Sequence, residues 1–394
     1  MESGISVVIP CLNEEASIAD AVTAAQAGIA KLACQGEVIV VDNGSEDRSA
    51  SLAAAAGARV IRENKRGYGM ALRKGFSAAR YPVMVMGDGD MTYDFRCIDT
   101  LARPILDGTA DLVIGNRMDN IHPGAMPALH RHVGTPVLSF LLRILFHHRG
   151  VRDAQCGMRV IRKDAYLKLG CVTTGMEFAS EMIIKAIYAR LRITERDIEY
   201  FPRVGESKLR TFRDGWRHLR FMLLHSPTTV MIIPGMVFWL LSLGLSIPLA
   251  AGAVVIARRM FDIHFMLALG AINIASIQVV TLGLLAKAYA HLSGLRQDPF
   301  IAWLYKRLSF EVAAAVAGTM ITLGALVGGY VFLKWSSQGF AGLNAARPFF
   351  FAVLCIVNGV QIGASSYLFS IMALPRHADH LPPEVEDTGI SDLG

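Results

Sequence analysis

Two aspartates, Asp88 and Asp90, follow an apolar run in the stretch YPVMVMGDGDMTYDF at residues 81–95. An apolar run of that length is typical of a buried strand, and the end of such a strand is where an α/β sheet presents ligand-binding groups. The stretch contains no histidine or cysteine. Two carboxylates alone suit a hard divalent cation such as Mg²⁺ or Mn²⁺, which prefers oxygen ligands and shares them with substrate phosphates. We therefore take Asp88 and Asp90 as the candidate metal-binding and catalytic pair.

A second candidate phosphate contact is Arg66, in the glycine-bearing turn NKRGYGMALRKG at residues 64–75. The turn lacks the GxxxxGKS/T pattern of a P-loop and the complete fingerprint of a dinucleotide-binding loop. Two interpretations stay open. The turn is either a loop whose cation touches a diphosphate, or a helix start that uses glycine for tight turning.

The elements that must position these residues alternate along the first half of the chain. Runs rich in valine and isoleucine lie at 5–9, 37–41, 58–61, 83–86 and 111–114, with helical patterns between them at 14–32, 46–56, 68–79 and 95–106. Strands that alternate with helices predict an α/β fold with a parallel, doubly wound sheet. Polar groups follow Ile9, Val41 and Met86. Three strand ends therefore bring polar groups to the edge where open α/β sheets bind ligands.

The second half of the chain predicts a membrane domain. Hydrophobic residues make up 53% of the 394 residues, and four apolar runs reach the roughly 20 residues that a transmembrane helix needs. These runs are 228–256, 264–290, 310–333 and 349–373. The distribution of lysine and arginine between the connections predicts that the soluble half and both termini are cytoplasmic, in a multi-pass protein of the cell (inner) membrane. The first ten residues lack a positive n-region and predict a strand instead of a signal peptide.

Composition excludes several other classes of protein. The six cysteines are scattered without CxxC spacing, which indicates neither a zinc site nor a disulfide framework. The net charge of +6 is concentrated just before the first apolar run. Anionic lipid headgroups explain that charge better than nucleic acid does, because membrane spans are adjacent. We expect a membrane partner and no nucleic acid.

Two shorter segments bear on how the soluble half meets the membrane. Residues 136–146, PVLSFLLRILF, are too few to span a bilayer, and either a core helix or an interfacial helix is compatible with them. Residues 211–224, TFRDGWRHLRFMLL, mix arginines with apolar side chains. That mixture predicts an amphipathic helix at the membrane surface.

Seven motifs in the first half of the chain resemble those of one family. They are VVIPCLNEE (7–15), VVDNGSEDRS (40–49), MGDGDMTYD (86–94), IGNR (114–117), DAQCGMRVIRKDA (153–165), TGMEFASEMIIKA (174–186) and RVGESKLRTFRDG (203–215). Their order is similar to that of family-2 glycosyltransferases of the polyprenyl-phosphate glycosyl synthase type, which include dolichol-phosphate mannose and glucose synthases. The segment GAMPALHRHVGTPVL at 124–138 resembles the bacterial, dolichol-phosphate glucose synthetase-like branch.

The resemblance implies a GT-A (Rossmann-like) cytosolic domain followed by an α-helical membrane domain of four transmembrane helices. We expect the GT-A domain at 1–210, a juxtamembrane amphipathic helix at 211–225, the transmembrane domain at 226–375, and an acidic, disordered tail at 376–394.

The resemblance also implies a donor site. The residues expected to hold the nucleotide-diphosphate sugar are Pro10, Asn13, Glu14, Asp42, Asp88 and Asp90, and Arg66 joins them as the candidate diphosphate contact. In related synthases a glutamine two residues after the second aspartate approaches the metal. This chain has Thr92 there, so its third protein contact to the metal stays open.

On the acceptor side, the resemblance implies contacts to the phosphate of a polyprenyl phosphate. The matching positions are Arg117, Arg131, Thr135, Arg203, Ser207 and Lys208. For the last three, the family places contacts to either the donor or the acceptor phosphate. Asp153 matches a residue proposed as a base in relatives, and a helix-cap or structural role is its alternative. A lipid phosphate monoester already carries close to two negative charges at pH 7, so it needs little help from a base. The chief obstacle is repulsion between two polyanions, which the metal and arginines would screen.

We therefore expect an inverting, metal-dependent hexosyltransferase that uses Mg²⁺ or Mn²⁺. UDP-glucose is favoured as donor, with GDP-mannose as its competitor, and polyprenyl phosphate on the cytosolic leaflet is the acceptor. A processive polysaccharide synthase is one alternative, although the chain lacks a QxxRW or RxxRW motif. A catalytically silent nucleotide-sugar-binding membrane protein is the other. Assembly into homo-oligomers stays open.

Overall fold

The structure, a computed structural model, describes residues 4–148, 150–205, 211–293, 298–307, 309–341 and 345–373. The chain divides into two compact units, Met1–Ser226 and Pro227–Gly394. The predicted tail at 376–394 lies outside the described residues.

The first unit is built on a seven-stranded sheet. Its strands are β1 (Gly4–Cys11), β2 (Gln35–Asp42), β3 (Arg59–Arg62), β4 (Val83–Met86), β5 (Leu112–Asn116), β6 (Arg159–Arg162) and β7 (Ile193–Asp197). They lie in the order β3-β2-β1-β4-β6-β5-β7. Neighbouring strands are parallel except at β6, which is antiparallel to both β4 and β5. The expected α/β sheet is therefore present, but the expectation of an entirely parallel sheet is wrong at β6.

Helices cover the sheet on both faces, as the alternation of elements predicts. They are α1 (Ile18–Ala30), α2 (Ser49–Ala55), α3 (Tyr68–Ala78), α4 (Ile98–Leu106), α5 (Thr135–Phe146), α6 (Lys163–Leu169), α7 (Phe178–Tyr188) and α8 (Thr211–Leu224). A π-helical turn, His130–Gly134, leads directly into α5. The helical segments expected at 14–32, 46–56, 68–79 and 95–106 correspond to α1, α2, α3 and α4, each somewhat shorter than its pattern.

The core of this unit lies between the sheet and the helices. β1 and β4 are buried along almost their whole length, because a strand covered on both faces must be apolar at every position. Helix α3 approaches the sheet closely at Gly75, where an added Cβ would lie 2.2 Å from Val8 Cγ1. That close packing brings the loop before α3 to the carboxyl edge of the sheet.

Arg159 explains why the reversed strand β6 is stable in the core. Its side chain is fully buried, and its guanidinium donates to the carbonyls of Cys156, Ala154 and Ala179. A buried cation is tolerated only when its donors are satisfied. Arg159 therefore fixes the loop that precedes β6 at the same edge of the sheet as the end of β4.

The second unit contains four helices that are long and apolar enough to span a membrane. These segments are Thr228–Ala251, Ile263–Leu292, Phe310–Ser337 and Ala346–Met372, and they include α9 (Ile233–Ala251), α10 (Ile263–Leu292), α12 (Phe310–Ser337) and α13 (Ala346–Met372). A short helix α11 (Pro299–Arg307) and a hairpin of β8 (Val254–Ile256) and β9 (Arg259–Phe261) lie in their connections. The four predicted transmembrane helices are confirmed.

Small and polar side chains hold these four helices together. Added Cβ atoms at Gly324 and Gly359 would lie 2.6 and 2.9 Å from carbonyl oxygens of the facing helix. Asn358 donates to Asn273 at 2.8 Å, and Asn273 donates to Ser242 at 3.3 Å. Close backbone approach and interhelical hydrogen bonds are the usual means of helix packing in membranes.

Candidate functional site

The candidate site lies where β1, β2, β4 and β5 end. Asp42 is the last residue of β2, Asn116 is the last of β5, and Asp88 and Asp90 follow β4. Because β1, β2, β4 and β5 run in the same direction, these residues come to one edge of the sheet.

Asp88 is held by Tyr68, the first residue of α3. The hydroxyl of Tyr68 donates to Asp88 Oδ1 at 2.9 Å. Burial, and then the negative charge of Asp90, raise the pKa of Asp88 to about 7. The other carboxylate oxygen lies 2.9 Å from where a Cβ on Gly157 would be. A larger residue at position 157 would therefore push against the carboxylate.

Asp90 is buried and held from two sides. Its Oδ1 accepts hydrogen bonds from the backbone N–H of Thr92 at 3.1 Å and from the Thr92 hydroxyl at 2.6 Å. Its Oδ2 lies 3.2 Å from Arg203 Nη1. Thr92 thus orients Asp90 in this chain.

Arg203 joins the loop of Asp88 and Asp90 to the loop that follows β1. Its second terminal nitrogen, Nη2, donates to Glu14 Oε1 at 2.7 Å, while Nη1 faces Asp90. The side chain is 20% exposed. The sequence places Arg203 among the acceptor contacts, whereas in the structure its partners are a predicted metal ligand and a predicted nucleotide contact.

The predicted nucleotide contacts lie together after β1 and β2. Asn13 has a left-handed backbone, with φ of 52°, its N–H donates to Ser45 Oγ, and its Oδ1 accepts from the N–H of Glu46. Asp42 Oδ1 accepts from the N–H of Ser45 at 2.9 Å. Pro10 pairs with Val41 on the adjacent strand. The two loops therefore form one hydrogen-bonded wall.

Arg66 is held in place by a residue that the sequence does not single out. The side chain of Asn43 donates to the carbonyls of Glu63 and Lys65 and accepts from the N–H of Gly67 at 2.7 Å. The guanidinium of Arg66 is 67% exposed and lies 3.2 Å from Glu46. Its head group is therefore accessible at the edge of the predicted donor site.

Arg117 and Asp153 form a buried, bidentate ion pair. Arg117 Nε and Nη2 donate to the two carboxylate oxygens of Asp153 at 2.7 and 2.9 Å, and the backbone N–H of Arg117 donates to the same carboxylate at 3.1 Å. The side chain of Asp153 is 0% exposed. Arg117 Nη1 lies 3.3 Å from the Tyr93 hydroxyl, and its guanidinium stacks 5.0 Å from the ring centre of Tyr200. Both charges are therefore held by one another and by aromatic neighbours.

The remaining predicted acceptor contacts are spread out. Arg131 is exposed in the π-helical turn, and Thr135, at the start of α5, is buried. No described contact joins Arg131 or Thr135 to the Asp88 and Asp90 loop. Ser207 and Lys208 lie outside the described residues.

A shallow cavity of about 440 Å³ adds three arginines to this part of the unit. It is lined by Arg66 and Gly67, by the loop Thr174, Gly175 and Glu177, and by Arg217, Arg220, Phe221 and Leu224 of α8. Gly67 precedes Tyr68, the partner of Asp88. The cavity therefore combines three arginines with apolar surface next to the start of α3.

The donor set of Asp88 and Asp90 fits Mg²⁺ or Mn²⁺. Burial, and then the negative charge of Asp90, raise the pKa of Asp88, and a bound cation would offset the repulsion between the two carboxylates. Among the described residues, no group of three or more His, Cys, Asp or Glu side chains could hold a metal ion. This loop would therefore supply two ligands and leave the others to water and substrate phosphates, as is usual for Mg²⁺.

Comparison with known proteins identifies the family. Residues 6–170 match Glycosyl transferase family 2, and residues 284–373 match the Glycosyltransferase family 2 C-terminal transmembrane region. The chain is also 38% identical over 366 residues to the low-salt glycan biosynthesis hexosyltransferase Agl6 of Haloferax volcanii, an alignment that covers 92% of this chain and 88% of the relative. The chain belongs to glycosyltransferase family 2.

Two further proteins are similar to somewhat more than half of this family-2 glycosyltransferase. A dolichyl-phosphate hexose transferase of Haloferax volcanii is 33% identical over 217 residues, which cover 54% of this chain and 89% of that protein. The crystal structure of glucosyl-3-phosphoglycerate synthase from Mycobacterium tuberculosis, in complex with Mn²⁺, UDP and glucosyl-3-phosphoglycerate, covers 57% of this chain and 80% of its own, at 22% identity and a TM-score of 0.46.

The resemblance stated from the motifs is thus confirmed, and so is the expected architecture of a GT-A sheet followed by four membrane-spanning helices. Family membership makes the chain a glycosyltransferase and a membrane protein. The roles of individual residues and the predicted domain boundaries stay predictions.

Three side chains of this glycosyltransferase's site are absent from the sequence prediction. They are Tyr68, which binds Asp88, Asn43, which holds the loop of Arg66, and Tyr93, whose hydroxyl accepts from Gly157 N–H at 2.8 Å. Each is inside one of the segments named above, within two residues of Arg66, Asp42 or Thr92. Proximity in sequence to a charged motif residue is the signal that could have found them.

Proposed function

We propose that this glycosyltransferase transfers a hexose from a nucleotide-diphosphate sugar to a polyprenyl phosphate, with inversion at the anomeric carbon. The observation that carries the proposal is the carboxylate pair Asp88 and Asp90 at the sheet edge, in a chain that also has four membrane-spanning helices. A polyprenyl phosphate cannot leave the bilayer, so an enzyme that uses it must stay at the membrane surface. The names of two relatives, a hexosyltransferase of glycan biosynthesis and a dolichyl-phosphate hexose transferase, support a hexose donor and a lipid acceptor.

The donor would lie over the wall formed by the loops after β1 and β2. Pro10, Asn13, Glu14 and Asp42 would contact the nucleoside, and exposed Arg66 would contact the diphosphate. Arginine suits phosphate because its planar guanidinium can donate two parallel hydrogen bonds. UDP-glucose is the donor we favour and GDP-mannose is its competitor.

Asp88 and Asp90 would hold Mg²⁺ or Mn²⁺. When bound, such an ion acts as a Lewis acid that stabilises negative charge on the departing nucleoside diphosphate. Tyr68, Thr92 and Arg203 would keep the two carboxylates oriented by the contacts they already make.

The acceptor phosphate would be its own nucleophile. It carries close to two negative charges at pH 7, so general-base catalysis has little to contribute. Asp153 has both oxygens engaged by Arg117 and no exposure to solvent. We therefore propose that Asp153 positions Arg117 and does not act as a base. Arg131, Thr135 and Lys208 would contact the acceptor phosphate.

We further propose that the reaction takes place on the cytosolic leaflet of the cell membrane, with both chain termini cytoplasmic. The lysine and arginine distribution supports this orientation.

Membranes that contain the full chain provide the test. They are incubated with polyprenyl phosphate and a panel of radiolabelled nucleotide sugars, with and without EDTA. We expect label from one hexose donor to enter the organic phase and EDTA to abolish that transfer. Transfer that continues after rigorous chelation would contradict the metal assignment, and label that enters only water-soluble product would contradict the lipid acceptor.

A further inference from the structure

The helix that runs through the π-helical turn into α5 has apolar side chains on its outer surface. Leu129, Val133, Val137, Phe140 and Ile144 are each between 46% and 52% exposed. Their spacing of four, four, three and four residues follows the turns of a helix and makes one continuous stripe. We call these five residues the apolar stripe.

The opposite side of the same helix is already used by the core. Ser139, Leu142, Leu145 and Phe146 are buried, and the hydroxyl of Ser139 accepts from the N–H of Ala154. The core interaction therefore fixes which side of the helix faces out. The apolar stripe is a separate surface, because a helix that served only the core would be polar on its outer side.

Exposed apolar residues are concentrated on this helix and on α8, which contacts it. Among residues 4–226 whose exposure the structure describes, eleven large hydrophobic side chains are exposed, and seven of them lie on these two helices. Two of the seven, Trp216 and Leu224, are on α8. Apolar residues scattered singly need no explanation, but a contiguous patch marks an interaction surface.

The charge around the apolar stripe indicates what covers it. Residues 127–148 include two arginines and four histidines and no aspartate or glutamate. Helix α8 carries Arg213, Arg217 and Arg220 on its exposed surface, and its one carboxylate, Asp214, is buried. An apolar stripe on helices whose exposed ionisable side chains are basic matches a bilayer surface that contains anionic lipids.

We propose that the apolar stripe lies in the headgroup layer of the bilayer, so that the first unit rests on the membrane through this helix. The membrane is always within reach, because the same chain has four membrane-spanning helices. The proposal goes beyond the proposed reaction and does not depend on it. Its consequence is that Arg131 and Thr135, which are on the same helix, sit at the depth where a lipid phosphate lies.

The test uses the full chain reconstituted in liposomes with anionic phospholipid. The partly buried cysteines Cys34, Cys97 and Cys355 are first replaced by alanine. Nitroxide labels are then placed one at a time at V137C, F140C and I144C in this background. Leu167, an equally apolar residue of α6 that is 67% exposed, supplies the matched control as L167C.

Collisions of each label with oxygen and with a water-soluble nickel chelate are compared. We expect the three stripe labels to collide more with oxygen than with the nickel chelate, and L167C to show the reverse. Stripe labels that nickel reaches as readily as L167C would place the helix in water and overturn the proposal. Stripe labels shielded from both reagents would also overturn it, because protein, from this chain or a second copy, would then cover the stripe.

Discussion

Asp88 and Asp90 differ in what surrounds them, although one glycine separates them in sequence. Asp90 has one oxygen fixed by Thr92 and the other facing Arg203. Asp88 has a single described hydrogen-bond partner, Tyr68, and a pKa raised to about 7 by burial and by Asp90. The negative charge of Asp88 therefore has fewer stabilising partners than that of Asp90, and a bound cation would stabilise Asp88 more.

Replacing Asp90 by Asn should remove transferase activity while the protein remains folded. Asparagine can still accept from Thr92, but it loses the charge that a divalent ion requires. We expect hexose transfer to fall on the order of 100-fold or more, and Mn²⁺ binding, followed by its electron paramagnetic resonance signal, to weaken.

The matched control for that variant is D94N. Asp94 is in the same segment and caps the short turn at Phe95 by accepting from the N–H of Arg96. D94N should leave transfer close to the wild-type rate. Full activity in D90N would eliminate the metal assignment.

A variant of Asp153 can distinguish a structural role of this residue from a role as a general base. Removing one partner of a buried ion pair leaves the other charge buried without a counter-ion, so D153N should lower the free energy of unfolding by about 3–5 kcal/mol. Removal of a residue that abstracts a proton would slow the reaction about 100- to 10,000-fold. We expect D153N, assayed at a temperature where it is folded, to stay within tenfold of the wild type.

The double variant R117Q/D153N completes that comparison. Because the two side chains bind each other, its loss of stability should be well below the sum of the losses of the two single variants. Additive losses would show that the pair is not coupled. A collapse of activity in fully folded D153N would restore the base assignment.

The sequence alone predicts the charged residues of the site better than their neighbours. Asp88 and Asp90 stand out because paired carboxylates after a buried strand have few other uses, whereas Asp42 and Arg117 are predicted only through the family resemblance. Tyr68 does not stand out, because an aromatic residue at a helix start is normally part of the core. The pairing of Arg117 with Asp153 could not be predicted either, since it depends on where the reversed strand β6 brings the chain.

At the scale of elements, β6 is a strand whose direction the sequence pattern does not predict. A short run such as RVIR carries no sign of its direction, and the alternation of strands and helices favours parallel neighbours. The reversal is visible only in the pairing of β6 with β4 and β5. The sequence does predict α8 as an amphipathic helix, because its periodicity is local, whereas for α5 it leaves a core helix and an interfacial helix open.

Helix α8 gives the fold a defined response to pH. The Nδ1 atom of His218 lies 2.8 Å from Ser180 Oγ of α7, and burial lowers the pKa of His218 from 6.5 to about 4. Between these two values the unfolded chain binds more protons than the folded one, so stability falls as the pH drops through this range. The full effect is about 3 kcal/mol.

Thermal unfolding of the full chain in detergent, followed between pH 4 and pH 7.5, measures this effect. In H218N the amide can replace the imidazole nitrogen at Ser180 but does not titrate. The difference in stability between wild type and H218N should therefore change with pH below 6.5 and be constant above it. An identical pH dependence in the two proteins would rule out His218 as the responsible group.

At the scale of the whole molecule, one chain contains a first unit built like a water-soluble domain and a second unit built for the lipid bilayer. The first unit uses a sheet covered by helices, and the second uses four apolar helices joined by small residues and buried amides. Length and composition predict that division, because a run of about 20 apolar residues has few other uses. The hairpin between the first two spans was not predicted, because its turn depends on the left-handed backbone of Ala257 and Arg258.

That hairpin offers a direct test of orientation. The charge distribution predicts that the hairpin is on the non-cytoplasmic side of the membrane, and Met260 within it is 70% exposed. In a background without Cys34, Cys97 and Cys355, M260C should react with a membrane-impermeant maleimide in intact cells. L167C, on the first unit, should react only after the cells are permeabilised. The reverse labelling pattern would show that the protein has the opposite orientation in the membrane. The donor sugar would then have to be supplied outside the cytosol.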